Sequence, residues 1–416
     1  MRLLVIVNCY TPDQRVSARR WGGLVAELQR RGVECTVISA GDGSFSEAEG
    51  VAGEHIIRLP ISNRAQAGGE AARAPGARLR LMVKGVLRYF VPLFIRGRNR
   101  RAWRDALQQH TAVAEAAKDC NVIVASYGPM APLLIGHDLA LMYKKPLVID
   151  IRDSFQAKEG SAFPLSRWIS RYLEKRVLAK ACSRITIGRK LAQYVTNHYQ
   201  LDFHAIYNGW NDEDIVTQPS NVWEADEKES PYLYYAGTIY PHRQEALSVV
   251  LRALESIDEL RLRIRVLSDN TEHWLENLIK SHCLADRVDL LPPVPSTVVA
   301  EEMAASRGVL VLENLEPSEL HDGTVTGKLF GLLASGIPGI AISSPTGEIR
   351  EIIQGIEGWH GVSTEAECVQ AIRALAASEG RSVDEITIAA YHVSAQADQL
   401  HSLLQNCRER DESGAS

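Results

Sequence analysis

Short β-branched runs alternate with longer helical patterns twice over in this chain, and that rhythm constrains the fold more than any other feature. LLVIVN (3–8) reads as a buried strand. A helical pattern follows over 17–31, with Trp21, Leu24, Val25 and Leu28 at helix spacing and Gly32 as a stop. Further strands are expected at 35–39, 55–60, 121–126, 146–152, 184–188 and 204–209, with helices over 130–143 and 166–181 and another after 188. The pattern restarts with strands at 232–239, 261–268, 287–292, 308–313 and 338–343, and helices over 245–256 and 271–283. Two successive sets of parallel α/β units predict two doubly wound, Rossmann-like domains facing each other across a cleft. Right-handed crossovers bring the strand C-termini of each domain to one edge, where ligands usually bind. The expected division is 1–212, 213–390, and a C-terminal helix and tail over 391–416 that packs back on the first domain. The polar, turn-rich stretch 210–230 marks the boundary, and 416 residues suffice for two cores.

Composition narrows the class of function. The formal net charge is −5, so a dedicated nucleic-acid binder, which needs a basic footprint, is not expected. Seven cysteines are scattered singly with no Cys-x-x-Cys, a pattern that suits reduced, mostly buried thiols in a cytoplasmic protein. The N-terminal apolar run is about seven residues long, too short for a secretory leader and better read as a strand. No run of 18 apolar residues occurs to span a membrane.

The usual cofactor motifs fail one by one. No Gly-x-Gly-x-x-Gly follows the first strand, and after the second Gly41 and Gly43 are followed by Ser46, which disfavours a nicotinamide dehydrogenase. There is no Walker loop, His-Glu-x-x-His or zinc cysteine cluster. Asp212-Glu213-Asp214 has the Asp-x-Asp form of some metal chelators, but acids at a helix start also cap free amides and suit the dipole. No metal site is expected. Two other segments carry more. AGTIYPHR (236–243) ends a strand at Gly237-Thr238 and then presents Arg243 on a loop. In TVTGKLFGLLASGIP (324–338), Gly327 and Lys328 open a helix, a combination of amides and cation that suits a phosphate. With Arg243, two cations could converge on one pyrophosphate; a solvated surface lysine is the other reading of Lys328.

At this point the chain resembles bacterial family 4 glycosyltransferases of the GT-B fold, over nearly its whole length. The resemblance rests on VNCYTPD with SARRW (7–21), PLVIDIRDSF (146–155), IYNGWNDED (206–214), YYAGTIYPHR (234–243), TGKLFGLLASGIP (326–338) and PTGEIREII (345–353), in that order. The subgroup it is most similar to transfers sugars in surface-polysaccharide assembly, often onto lipid-linked acceptors. The resemblance implies that Gly237, Thr238 and Arg243 line a donor pocket, and that Arg243 and Lys328 neutralise the diphosphate of a nucleotide-sugar without a metal. It implies that Thr324, Thr326 and Gly327 face the same phosphates. Asn8, Tyr10 and Ser17 would lie at the acceptor-side cleft, with Asp150, Arg152 and Asp153 at a strand end beside them. Asp153 could orient an acceptor hydroxyl or accept its proton; an ion pair with Arg152 or a helix cap is the equal alternative. One departure matters. The family's Glu-x7-Glu pair is replaced by Gly323 and Gly331, so the ribose carboxylate is missing unless Glu316, Glu319 or Glu348 supplies it.

Residues 71–104 hold ten basic residues and no acid, +10 in a chain of −5, which leaves −15 for the rest. Leu79, Met82, Val83, Val86, Leu87 and Phe90 share one helical face, with Arg80, Lys84 and Arg88 in a row beside it. Phe94, Arg96, Arg98, Arg100, Arg101 and Trp103 follow the break at Pro92. Contact with an anionic membrane surface is the expectation, and an amphipathic helix packed on the domain is the alternative. The functional expectation is a retaining, metal-independent hexosyl- or N-acetylhexosaminyl-transferase. It would use a nucleotide-sugar, with UDP the expected nucleotide, and a lipid-linked or saccharide acceptor, from the cytoplasmic side of the membrane. A catalytically silent relative acting as a membrane scaffold and a nucleotide-sugar epimerase of the same fold remain the alternatives.

Overall fold

The computed structural model describes residues 1–13, 15–41, 55–61, 100–108, 110–152, 164–212, 231–258, 260–266, 272–377 and 388–414. They form two compact units, one of residues 1–207 with 393–416 and one of 208–392. Most of the basic stretch, with Arg80, Lys84, Arg88, Phe90, Phe94, Arg96 and Arg98, lies outside the described residues, as do Asp153, Glu213 and Asp214.

Unit 1 is built on a parallel sheet of seven strands in the order β3-β2-β1-β4-β5-β6-β7. These are β1 (Arg2–Val7), β2 (Glu34–Gly41), β3 (His55–Pro60), β4 (Val122–Ser126), β5 (Leu147–Ile151), β6 (Ser183–Thr186) and β7 (His204–Ala205). The central strands are continuous Val, Leu and Ile runs because both faces of a parallel sheet are covered by helices. Val5 stands in register with Val37 on one side and Val124 on the other. The helices are α1 (Val16–Arg30), α2 (Arg100–Gln108), α3 (Thr111–Asp119), α4 (Met130–Tyr143), α5 (Pro164–Leu178) and α6 (Arg189–Tyr199). Trp21, Leu24, Val25 and Leu28 of α1 are fully buried against the sheet, as their spacing predicts.

Unit 2 repeats the plan with six parallel strands in the order β10-β9-β8-β11-β12-β13. They are β8 (Tyr232–Ala236), β9 (Arg261–Arg265), β10 (Val288–Leu291), β11 (Gly308–Leu312), β12 (Gly339–Ile342) and β13 (Trp359–Val362). Its helices are α7 (Gln244–Glu255), α8 (Glu272–Ser281), α9 (Ser296–Ala305), α10 (Glu319–Asp322), α11 (Lys328–Ala334), α12 (Glu348–Ile353) and α13 (Glu365–Ala377). Strand β9 alternates strictly. Leu262 and Ile264 enter the core, while Arg261 pairs with Asp289 and Arg265 with Glu302. Strand β13 escapes the sequence pattern because WHGV is four residues long and half His and Gly.

The chain then returns to unit 1 as α14 (Val393–Gly414). Val393, Ala397, Leu400, Leu404 and Cys407 recur every three or four residues and join the core under α1. Arg31 at the end of α1 reaches Asp398 at 2.7 Å and the Ser394 carbonyl at 2.9 Å. A Cys182–Cys407 disulfide ties α14 to the start of β6. This corrects the expectation of seven reduced thiols: two residues 225 apart in sequence are joined, and spacing carries no signal for such a pair. Cys9, Cys35, Cys120 and Cys368 are buried thiols, and Cys283 is an exposed one.

A second correction concerns Trp103. It lies on α2 and is fully buried, so it belongs to the core of unit 1 and does not anchor a membrane contact. Its neighbour Arg104, by contrast, is half exposed and faces Asp138 of α4 at 3.6 Å. Amphipathic spacing identifies the apolar face of a helix but not which surface covers it.

Polar burial in unit 1 centres on one ion pair. Arg20 of α1 and Asp150 of β5 meet at 3.1 Å with no solvent exposure on either side chain. Asp150 also accepts from Trp21 Nε1 and Ser126 Oγ, each at 2.9 Å. Arg20 Nη1 donates to the carbonyls of Ile206 and Tyr207 at 2.8 and 2.9 Å. Breaking a buried pair leaves an uncompensated charge and costs about 3–5 kcal/mol. Asp150→Ala is therefore expected to lower unfolding free energy by about 3 kcal/mol or more in urea denaturation. A loss below about 1 kcal/mol would show that Arg20 is satisfied without it.

Candidate functional site

Strand order in unit 2 reverses between β8 and β11, the switch point at which the crevice of a doubly wound sheet opens. The loops that leave these two strands bring the sequence-predicted cations together. Strand β8 ends at Ala236, and the Gly237 N–H continues the ladder to the Arg265 carbonyl at 2.9 Å. Gly237 has φ +148°, a conformation that L side chains rarely adopt, so a glycine is needed there. Ile239 is buried and anchors the loop, and Pro241 starts a single 3-10 turn (Pro241–Arg243) whose Arg243 N–H bonds to the Tyr240 carbonyl at 2.8 Å. Arg243 thus stands at the head of α7.

Across the switch point, Glu313 follows directly on β11, its N–H bonded to the Ile342 carbonyl at 2.8 Å. Its carboxylate accepts from Arg243 Nη2 at 2.7 Å, with 16% and 10% side-chain exposure on the two residues. Arg243 Nε is buried and has no hydrogen-bond partner. Lys328 opens α11, where its ammonium donates to the Ala236 carbonyl at 2.5 Å and lies 5.8 Å from the centre of the Tyr235 ring. It also acts electrostatically on Glu313, alongside Arg243. Burial pushes the Glu313 carboxyl up to about 6, and the two cations pull against that shift. His242 is held below the usual histidine value, first by burial and then by Arg243 and His321. The result is a small polar basin with two cations, one carboxylate and two histidines at a strand-end crevice.

A pocket beside it is lined by Glu313, Asn314, His321, Asp322, Ser343 and Glu348, among others. Glu348 forms a buried part of that wall. Thr324 also lines it, its hydroxyl 3.4 Å from the Leu320 carbonyl. Thr238 and Thr326 are half-buried; their carbonyls accept from the Tyr235 hydroxyl and the Leu329 N–H. Gly327 caps α11, whose seven residues make a short helix. Glu313 was missed by sequence reasoning, although an acid closing the buried run GVLVLE (308–313) was a visible signal. The pairing with Arg243 was not visible, because 70 residues separate the partners.

In unit 1 the expected acceptor-side residues divide. Asn8 and Ser17 are half-buried at the ends of β1 and α1, and the Asn8 amide donates to Cys9 Sγ at 3.1 Å. Tyr10 is 1% exposed within the core, and Asp150 is consumed by Arg20, Trp21 and Ser126. Both readings are therefore corrected: neither side chain is open to a ligand. The Arg152 guanidinium is spent on the Tyr127 and Gly128 carbonyls at 3.0 and 3.4 Å.

Residues 17–209 match the family model described as Glycosyl transferase 4-like domain, a match that spans most of unit 1. No curated protein matches the chain in sequence. Solved structures match it end to end. The sucrose-phosphate synthase from Thermosynechococcus elongatus is 16% identical with a TM-score of 0.64, covering 100% of this chain and 99% of that one. A glycosyltransferase from Rickettsia africae ESF-5 is 12% identical with a TM-score of 0.62, covering 98% of each chain. Anabaena Alr3699/HepE, solved in complex with UDP and glucose, is 15% identical with a TM-score of 0.56, covering 99% of this chain and 100% of that one. The fold is GT-B: two parallel-sheet α/β domains in one chain.

A Cβ built on Gly237 would run into Lys328 Nζ. Gly237→Ala should therefore displace the ammonium and weaken inorganic pyrophosphate binding about tenfold in isothermal titration, about 1.4 kcal/mol. Unchanged affinity would remove Lys328 from the anion site.

Proposed function

We propose that this protein is a glycosyltransferase that moves a sugar from a nucleotide-sugar, with UDP the favoured nucleotide, to a lipid-linked or saccharide acceptor. The observation that carries the reading is the placing of two cations at the β8–β11 switch point: Arg243, paired with Glu313 at 2.7 Å, and Lys328, whose ammonium donates to the Ala236 carbonyl at the end of β8. Two cations there are placed to neutralise a diphosphate. As the bond from the anomeric carbon to the phosphate oxygen breaks, negative charge grows on the leaving diphosphate. Arg243, mostly buried, and Lys328, exposed but held at the Ala236 carbonyl, would stabilise that charge more than they stabilise the ground state. The chain thus brings its own charge neutralisation, which supports a metal-independent reaction as part of the proposal. Anabaena Alr3699/HepE, whose fold this chain shares, has been solved with UDP and glucose and supports the donor class. We assign retention of anomeric configuration and a surface-polysaccharide role from the resemblance in the sequence alone.

The acceptor side is proposed to work at an anionic membrane. The basic stretch 71–104 supports this, and so does a feature of α5. Trp168 and Tyr172 stack there at 6.2 Å between ring centroids, 66% and 54% exposed. Arg171, Lys175 and Arg176 lie on the same helical stripe and are also exposed. The one acid of this helix, Glu174, is buried and accepts from the Tyr199 hydroxyl at 2.7 Å. Aromatic rings beside cations suit a headgroup layer, where each cation contributes about 1 kcal/mol. No helix of the described residues is long and apolar enough to cross a membrane.

Lys328→Ala is expected to lower kcat with UDP-sugars by about 10²-fold or more while acceptor KM changes little. Unchanged turnover would sink the role. Absence of any nucleotide binding by the parent protein would favour the silent relative, and conversion of donor alone would favour the epimerase. Changing Arg96, Arg98, Arg100 and Arg101 together to Glu should cut co-sedimentation with anionic liposomes at least about tenfold. Equal binding would refute the electrostatic contact.

A further inference from the structure

Glu313 is an odd neighbour for a diphosphate. It occupies Arg243, the guanidinium the donor needs, and its burial at the end of β11 leaves its carboxylate little water to retreat into. Its backbone is tied to β12 through the Ile342 carbonyl. A diphosphate that enters this basin adds negative charge beside a carboxylate that cannot be diluted by solvent. Like charges in such a site favour protonation of the weaker acid.

Resting on the donor-site reading above, we propose that Glu313 is a built-in anion that holds Arg243 in place and takes up a proton when a nucleotide-sugar diphosphate binds. Donor affinity then falls as pH rises. The buried, unpartnered Nε of Arg243 fits this arrangement, since the guanidinium keeps donor capacity that Glu313 does not use.

The groups around Glu313 set the sign. Arg243 comes from the turn after β8, Tyr235 from β8 and Lys328 from α11. His321 and Asp322 of α10 and Glu348 of α12 line the adjoining pocket, and His242 stands beside Arg243. Burial already pushes the Glu313 carboxyl up to about 6. Bound diphosphate raises it further. A group whose pKa is higher in the complex takes up a proton on binding, and affinity is lost as pH climbs from the free value through the bound one. His242, held below the usual histidine value, would take up a proton with the same sign, so the comparison that decides is between the parent protein and Glu313→Gln, which keeps a hydrogen bond to Arg243 without the charge.

The test is isothermal titration of UDP-glucose between about pH 6 and about pH 8; its diphosphate diester does not titrate in that range. The parent Kd is expected to rise about fivefold or more across it, and that of Glu313→Gln by less than about twofold. Titrations near pH 7.5 in buffers of different ionisation heat should show net proton uptake by the parent protein, a readout that a merely structural glutamate would not move. Equal pH slopes in the two proteins, or no proton uptake by the parent, overturn the proposal and leave the donor site standing. If UDP-glucose binds neither protein at any pH, the donor-site reading falls and this one with it. If Glu313→Gln does not fold, proton uptake is measured on a variant with His242 and His321 both changed to Gln, where uptake supports the proposal and its absence overturns it.

Discussion

A parallel sheet delivers the ends of its strands to one edge, and any carboxylate buried there must be matched by a cation and by hydrogen bonds. Unit 1 depends on one such match. Asp150 at the end of β5 is closed in by Arg20, Trp21 and Ser126, and Arg20 in turn takes up the carbonyls of Ile206 and Tyr207. Through one ion pair, α1, β4, β5 and the chain after β7 are held in register. A hydrophobic core positions these elements approximately, since apolar packing tolerates repacking. A charge network without solvent does not tolerate a missing partner.

Unit 2 sets the same kind of pair at the same edge but leaves it incomplete. Arg243 and Glu313 retain some exposure, one guanidinium nitrogen is unpaired, and Lys328 stands close by. The contrast separates structure from function by physical means. Every hydrogen-bonding group of Asp150 has an internal use, whereas Arg243 keeps a buried Nε with no hydrogen-bond partner. In the proposed function an anion from solution completes the second arrangement; the first is already complete.

Much of the fold was legible from residue order. The face of α1 carrying Trp21, Leu24, Val25 and Leu28 follows from helix spacing, and twelve of the thirteen strands among the described residues follow from apolar runs between turn residues. The candidate site was half legible. Arg243 and Lys328 stood out because each follows a glycine-bearing loop between a strand and a helix. Glu313 stood at the end of a strand in plain view, yet its role depends on a neighbour across the switch point. Asp150 and Tyr10 were misread for the reverse reason. A strand-end acid and a loop tyrosine look alike in sequence whether the surrounding chain leaves them open or closes over them. Trp103 was misread because an apolar residue beside arginines suits both a membrane and a core.

What the sequence determined by itself is local and periodic: which segments become strands or helices, which of their faces are apolar, and therefore that two doubly wound sheets form. Those properties depend on residues within a few positions of one another, and backbone geometry converts them directly into shape. Tertiary structure alone decided which charges are partners. Arg20 and Asp150 are 130 residues apart, Arg243 and Glu313 70, Cys182 and Cys407 225. Electrostatic interaction depends on distance and on exclusion of water, and both are set only when the sheets are assembled.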